Sequence, residues 1–195
     1  MILNFITARR RALLTLTSSA VLLSACGGFT AVDLGGTISN LTGTGLVLGN
    51  GGSTVSPAPG DKTFVFPVQV SIRAPYSVSV INQPARQDCK VFNAEGTAGA
   101  APVTIVAVVC TNNAFAVGGT VTGLTGSGLV LNNGGDRVTI AAGAGSYVFP
   151  APVTDLAAYG VTVLTQPTNG QVCSVANSSA FINNSAVSNA NVTCN

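Results

Sequence analysis

The most reactive side chains in this 195-residue chain are five cysteines, at positions 26, 89, 110, 173 and 194. The last four form two pairs of equal spacing, since Cys110 follows Cys89, and Cys194 follows Cys173, by 21 residues. Four cysteines allow three pairings, and the repeated spacing favours Cys89 with Cys110 and Cys173 with Cys194. A zinc site would need histidine or a C-x-x-C pair, and the chain has neither. The lack of any histidine also removes Ser-His-Asp and Cys-His catalysis and imidazole ligation of metals.

The remaining candidates for chemistry are weak. Ser127 in Thr125-Gly126-Ser127-Gly128 lacks the G-x-S-x-G spacing of a nucleophile elbow and reads as a turn residue. Gly43, Gly45, Gly49, Gly51 and Gly52 are not followed by G-K-[ST], so they are turn glycines and not a phosphate cradle. Asp136, after Asn132-Asn133-Gly134-Gly135, could join an oxygen-rich calcium turn, but Ser53 stands at the matching place upstream. Asp61 with Lys62 and Asp88 with Lys90 read as solvated turn charges, and six scattered acids make paired-carboxylate glycoside cleavage a poor fit. No metal, no cofactor and no catalysis are expected.

That matching place exists because the chain is written twice. Gly35 to Gly52, GGTISNLTGTGLVLGNGG, returns 83 residues later as Gly118 to Gly135, GGTVTGLTGSGLVLNNGG. Phe64-Val65-Phe66-Pro67 returns as Tyr147-Val148-Phe149-Pro150, Tyr76 as Tyr159, and Gln83-Pro84 as Gln166-Pro167. Within each copy the apolar period is two: Tyr76, Val78 and Val80 alternate with small polar residues, as do Tyr159, Val161 and Val163. Asn50-Gly51 and Asn133-Gly134 end apolar runs with a pair that adopts positive φ and reverses the chain. The expected fold is all-β: two tandem antiparallel β-sandwiches of about seven strands, over residues 35–111 and 112–195. Units of about 80 residues bury little surface, so a disulfide worth about 3 kcal/mol in each would matter.

One asymmetry stands out. Val106, Val108 and Cys110 match Ala190, Val192 and Cys194 and should point inward. The opposite face reads Ile105, Ala107 and Val109 in copy one but Asn189, Asn191 and Thr193 in copy two. Either the other module or a partner covers that apolar face, with Phe115 in the short connection as a further interface residue, or the face is the ordinary scatter of apolar side chains over a surface.

Arg9, Arg10 and Arg11 precede an apolar run, Ala12 to Ala25, too short to span a bilayer core of about 30 Å. It reads as an export signal over 1–25, by the general secretory route in preference to a twin-arginine one. Its close, Leu23-Ser24-Ala25-Cys26, resembles the bacterial lipobox. That resemblance implies that Cys26 becomes the N-terminus of a lipoprotein and carries diacylglycerol and a fatty acyl group such as palmitate, with 26–34 as a short tether. Gly27, where an Asp would mark inner-membrane retention, points to the outer membrane. Removing the signal takes three of the eight basic side chains and leaves five against six acids, so the positive balance belongs to the signal. With no basic run beyond it and no Trp, nucleic acid is not a partner.

The order G-G-T-x-x-x-L-x-G-x-G-L-x-L-x-N-x-G-G, an aromatic strand, Tyr-x-Val-x-Val, Gln-Pro and a cysteine-bearing close resembles tandem bacterial extracytoplasmic repeats of Ig-like or transthyretin-like type. Such repeats occur in surface proteins and lipoproteins, which implies a spacer or binding module, held to the membrane through Cys26 and meeting an envelope or surface partner. A ligand-binding lipoprotein holding a small molecule or carbohydrate between its modules is the alternative, and an acid-only hydrolase a third.

Overall fold

The computed structural model describes residues 30–195, so the export signal and Cys26 lie outside the described residues. The described chain is all β, and the two copies are built element for element alike. Copy one holds β1 (Ala31–Val32), β2 (Leu34–Ser39), β3 (Val47–Asn50), β4 (Ser53–Val55), β5 (Thr63–Val65), β6 (Val70–Ser71), β7 (Pro75–Asn82), β8 (Gln87–Phe92), β9 (Glu95–Thr97) and β10 (Val103–Asn112). Copy two repeats them as β11 (Ala114–Phe115), β12 (Gly118–Thr122), β13 (Leu129–Asn133), β14 (Asp136–Ile140), β15 (Ser146–Val148), β16 (Val153–Thr154), β17 (Ala158–Thr165), β18 (Cys173–Val175), β19 (Ser179–Phe181) and β20 (Val192–Cys194).

In each module one four-stranded sheet runs β5-β2-β10-β8 (β15-β12-β20-β18) and the other β4-β3-β7-β9 (β14-β13-β17-β19). A two-stranded ladder, β1-β6 or β11-β16, sits beside them. Ten strands replace the expected seven because three runs change partner along their length: β1 into β2, β5 into β6, and β8 into β9. Counted once each, those runs restore seven.

Two expectations need correction. The sandwiches are not purely antiparallel, since β2 runs parallel to β10 and β12 parallel to β20. The first strand of each module inserts between β5 and the last strand, and that insertion explains the Gly-Gly opening. A Cβ at Gly36 would run into the Val106 carbonyl, and one at Gly119 into that of Ala190, so β2 and β12 reach their slots only without a side chain there. The first module also begins before residue 35. Val32 and Leu34 are buried in its core, as Phe115 and Val117 pack into the second, so the end of the presumed tether is folded structure.

Each core lies between its own two sheets. Leu34, Leu46, Leu48, Val106 and Val108 are fully enclosed in one, and Leu129, Leu131, Val161, Ile182 and Val192 in the other. The repeated aromatic pairs meet edge to face, Phe64 with Phe66 at 5.8 Å and Tyr147 with Phe149 at 5.7 Å. Gly51-Gly52 and Gly134-Gly135 form two-residue hairpin loops, with Gly51 and Gly134 at positive φ. The Asn before each loop uses its side chain as well: Asn50 Oδ1 accepts the Ser77 N–H at 2.9 Å and Asn133 Oδ1 the Gly160 N–H at 2.8 Å.

Candidate functional site

Cys89 is bonded to Cys110 and Cys173 to Cys194, each pair facing across the last antiparallel ladder of its module. The repeated Gln-Pro next to each bridge also has a reason. Gln83 forms a two-way clasp with the backbone of Cys89, its Oε1 accepting the N–H at 2.8 Å and its Nε2 donating to the carbonyl at 3.0 Å. Gln166 repeats this on Cys173 at 2.8 and 3.1 Å. A second glutamine pins the loop after the first strand. Gln87 Oε1 accepts from Thr42 and Gly43, both at 2.8 Å, while its Nε2 donates to the Asn40 carbonyl and Asn112 Oδ1, each at 2.8 Å. Gln171 does the same for Thr125, Gly126 and the Gly123 carbonyl.

These devices are common to both copies, so what distinguishes the working protein lies where the repeat breaks. The Ala85-Arg86 turn of copy one corresponds to the longer Thr168-Asn169-Gly170 of copy two, and Asp155 stands where copy one has Ile72. Those two exceptions meet. Arg86 Nη1 donates to Asp155 Oδ2 at 2.7 Å, and its Nη2 donates to Asn183 Oδ1 at 3.0 Å. The Asp155 side chain is 2% exposed and that of Arg86 39%. The other carboxylate oxygen accepts the N–H of Asn184 at 2.7 Å and of Leu156 at 3.1 Å. Asn113, the one residue between β10 and β11, is held from both sides: its N–H donates to the Arg86 carbonyl at 3.0 Å, and its own carbonyl accepts from Asp155 at 2.8 Å.

Burial from water pushes the Asp155 carboxyl up, but the Asn184 N–H, the Arg86 guanidinium and the Leu156 N–H together outweigh it and hold it below its ordinary value. It is therefore an ionised acceptor at neutral pH with its lone pairs committed to the joint. Beside it lies a cleft of about 270 Å³ lined by Thr42, Gly43, Arg86, Gln87, Asn112 and Leu156. Nothing in the sequence pattern by itself marked Arg86 or Asp155. The signal that finds them is a charge present in one copy and missing from the other.

Ile105 is 62% exposed, so the second module does not cover it. The modules are hydrogen-bonded to one another through Arg86, Asn113, Asp155 and Asn183, at the ends of the sandwiches. Ala107 and Val109 are half-buried on the same outward face, where Ala107 pairs with Phe92 and Val109 with Lys90. Phe115 packs against the core of its own module and is not an inter-module contact. Asp136 spends its oxygens on the N–H groups of Arg137 at 3.0 Å and Ala151 at 2.8 Å, tying down a loop. Ser127 sits in a turn, its hydroxyl 3.4 Å from that of Thr168. Among the described residues there is no group of three or more metal-ligating side chains and no helix long and apolar enough to cross a membrane.

Two disulfides inside a pair of small all-β modules define an extracytoplasmic β-sandwich protein, since such bonds form and persist in oxidising compartments. No protein-family model matches the chain, and no curated protein matches it. Among solved structures it is similar to the TIE protein of Bacillus anthracis, with a TM-score of 0.49 and 18% identity over 85% of this chain and 34% of that one. It is also similar to the major pilin protein (T-13) of Streptococcus pyogenes, with a TM-score of 0.24 and 11% identity over 85% of this chain and 96% of that one. The chain thus spans about a third of the length of the TIE protein.

Proposed function

We propose that the chain is a lipid-anchored protein of the bacterial envelope, in which two sandwiches joined end to end act as a short stiff spacer and contact module without catalysis. The observation that carries this reading is the joint. A one-residue connection hydrogen-bonded on both sides, with an ion pair across it whose carboxylate is buried, fixes the direction of one module relative to the other. Its polar groups are occupied by one another, which suits a mechanical role better than a chemical one. Anchoring rests on the lipobox-like Leu23 to Cys26, and Gly27 favours the outer membrane. The edge strands β4, β5, β8 and β9 and their counterparts offer unpaired backbone to an envelope or surface protein by β-augmentation.

A small-molecule site between the modules is less well supported. The joint cleft, about 270 Å³, falls below the roughly 300 to 1,000 Å³ of ligand pockets, and its polar lining is already paired. The test is mass spectrometry of the N-terminal peptide of the processed protein, followed by protease treatment of intact and permeabilised cells. Acyl mass on Cys26 is expected. A mature chain starting elsewhere, or an unmodified Cys26, would overturn the anchoring. Cleavage in intact cells would place the modules outside, whereas cleavage only after permeabilisation would assign them to the periplasm.

A further inference from the structure

The second copy acts as an internal control for the first, because shared residues serve the fold and private ones serve something else. Residues private to module one cluster on one sheet face. Phe92 is 52% exposed and Ile105 62%, with Ala107 and Val109 on the same face; copy two has Ala176, Asn189, Asn191 and Thr193 at these places. The register explains the clustering, since Ala107 sits between Phe92 on β8 and Thr37 on β2, and Val109 between Lys90 and Ser39. Val65, opposite Gly35, borders the face. Val68, 60% exposed where copy two has Ala151, stands next to Gln69, whose amide donates to Asp33 Oδ1 at 2.8 Å where the chain enters the module.

We propose that this face of module one rests on the bilayer at the headgroup–acyl boundary; the proposal builds on the lipid-anchoring reading. Four residues separate Cys26 from Ala31, a contour of about 17 Å over the five Cα-to-Cα steps, so the entry end of module one stays within that distance of an acylated Cys26. Ile105 lies at that end, because Val103 pairs with Leu34 and Val106 with Gly36. The charge at the entry itself is Asp33, which accepts from Gln69, and Lys90 further along the face is suited to anionic headgroups with its stem on apolar surface. A second copy fits less well. Four strands spaced about 4.8 Å apart and some five residues long present about 300 to 400 Å², roughly half of the 800 Å² per partner of a stable complex. A bilayer needs no such area, because the acyl chains already hold the protein there.

The chain has no Trp, so single reporters are clean. Phe92→Trp and, at the equivalent place in copy two, Ala176→Trp are made in the full-length acylated protein. Each is reconstituted into phosphatidylethanolamine–phosphatidylglycerol vesicles carrying lipid brominated near the headgroup. Quenching about threefold stronger for Phe92→Trp than for Ala176→Trp is expected, falling by about half when Ile105→Asn is added. Equal quenching at the two sites would overturn the proposal, as would no change with Ile105→Asn. The Cys26 peptide is weighed in the same samples. Acyl mass with equal quenching sinks the seating and leaves the anchor, whereas no acyl mass removes both. The pair Ile105→Trp and Asn189→Trp repeats the comparison if either first variant misfolds.

Discussion

Module one closes with β10, which meets β2 at five register positions and β8 at six. Module two closes with β20, which meets β12 at only two and β18 at three. The same topology is thus held by a long ladder in one copy and by a stub in the other, although both carry the same disulfide at the same place. The difference shows how a duplicated fold distributes its stability: where the backbone ladder is short, the covalent bridge and side-chain ties carry more. Copy two has added such ties. Asp136 pins the Ala151 loop, where Ser53 of copy one has a buried hydroxyl without a partner, and Tyr147 replaces Phe64 with a hydroxyl that donates to the Ala190 carbonyl at 2.6 Å.

Removing the bridges tests this comparison most severely. Closing a loop of this length contributes about 3 kcal/mol in the chain-entropy model. Cys173→Ala with Cys194→Ala is expected to unfold module two near room temperature, whereas Cys89→Ala with Cys110→Ala leaves module one folded with a lowered midpoint. Calorimetry of the two double variants checks the order, and equal losses would mean that ladder length does not decide it.

The glutamine clamps come next. Gln87 is buried and satisfies four groups, while Gln171 is half-buried. Replacing Gln87, itself buried, with Ala leaves two N–H groups, the Asn40 carbonyl and Asn112 Oδ1 without this partner, at about 2 kcal/mol, and Gln171→Ala, at a more exposed position, should cost about 1 kcal/mol. Denaturant midpoints at constant slope are the measurement.

Much of this architecture is legible in the residues. The repeat, the Asn-Gly hairpins and the doubled cysteine spacing all report local chemistry that the structure uses as expected. The Gly-Gly opening is visible too, but its cause is not, because the carbonyl that crowds Gly36 belongs to a strand some 70 residues away. For the same reason the parallel closing pair was invisible, since nothing local distinguishes β2 beside β10 from an antiparallel neighbour. The first strands went unseen in copy one because Ala31-Val32-Asp33-Leu34 and Ala114-Phe115-Ala116-Val117 share little but their burial pattern. The joint was hardest. Arg86 and Asp155 each look like a solvated turn charge until the fold brings a turn tip of one module against the end of the next.

The joint yields a prediction about arrangement more than stability. Arg86→Ala is expected to let the modules bend while each keeps its own melting transition, seen as a broadened distance distribution in solution scattering. Acid should do the same to the native chain. Because the carboxyl of Asp155 lies below its ordinary value of 3.8, its contribution is complete above that pH and is lost as pH falls through the lower folded value. An acid-induced broadening that persists unchanged in Asp155→Asn would assign the effect to another carboxylate.

The smallest effect separates the modules at the other end of the pH scale. Tyr147 is buried, its hydroxyl donates to Ala190, and desolvation together with the neighbouring Tyr159 pushes its pKa from 10.0 up to about 12. In the unfolded chain the phenol ionises about two pH units earlier, so between those values the unfolded state holds fewer protons and gains relative to the folded one. Module two should therefore lose stability progressively as pH rises from about 10 to about 12, while module one, with Phe64 at that place, has no such term. Tyr147→Phe costs about 1 kcal/mol at neutral pH through the lost hydrogen bond, and it should flatten the alkaline limb of module two to match that of module one. A limb that stays steep in Tyr147→Phe would overturn the assignment of the alkaline weakness to this phenol.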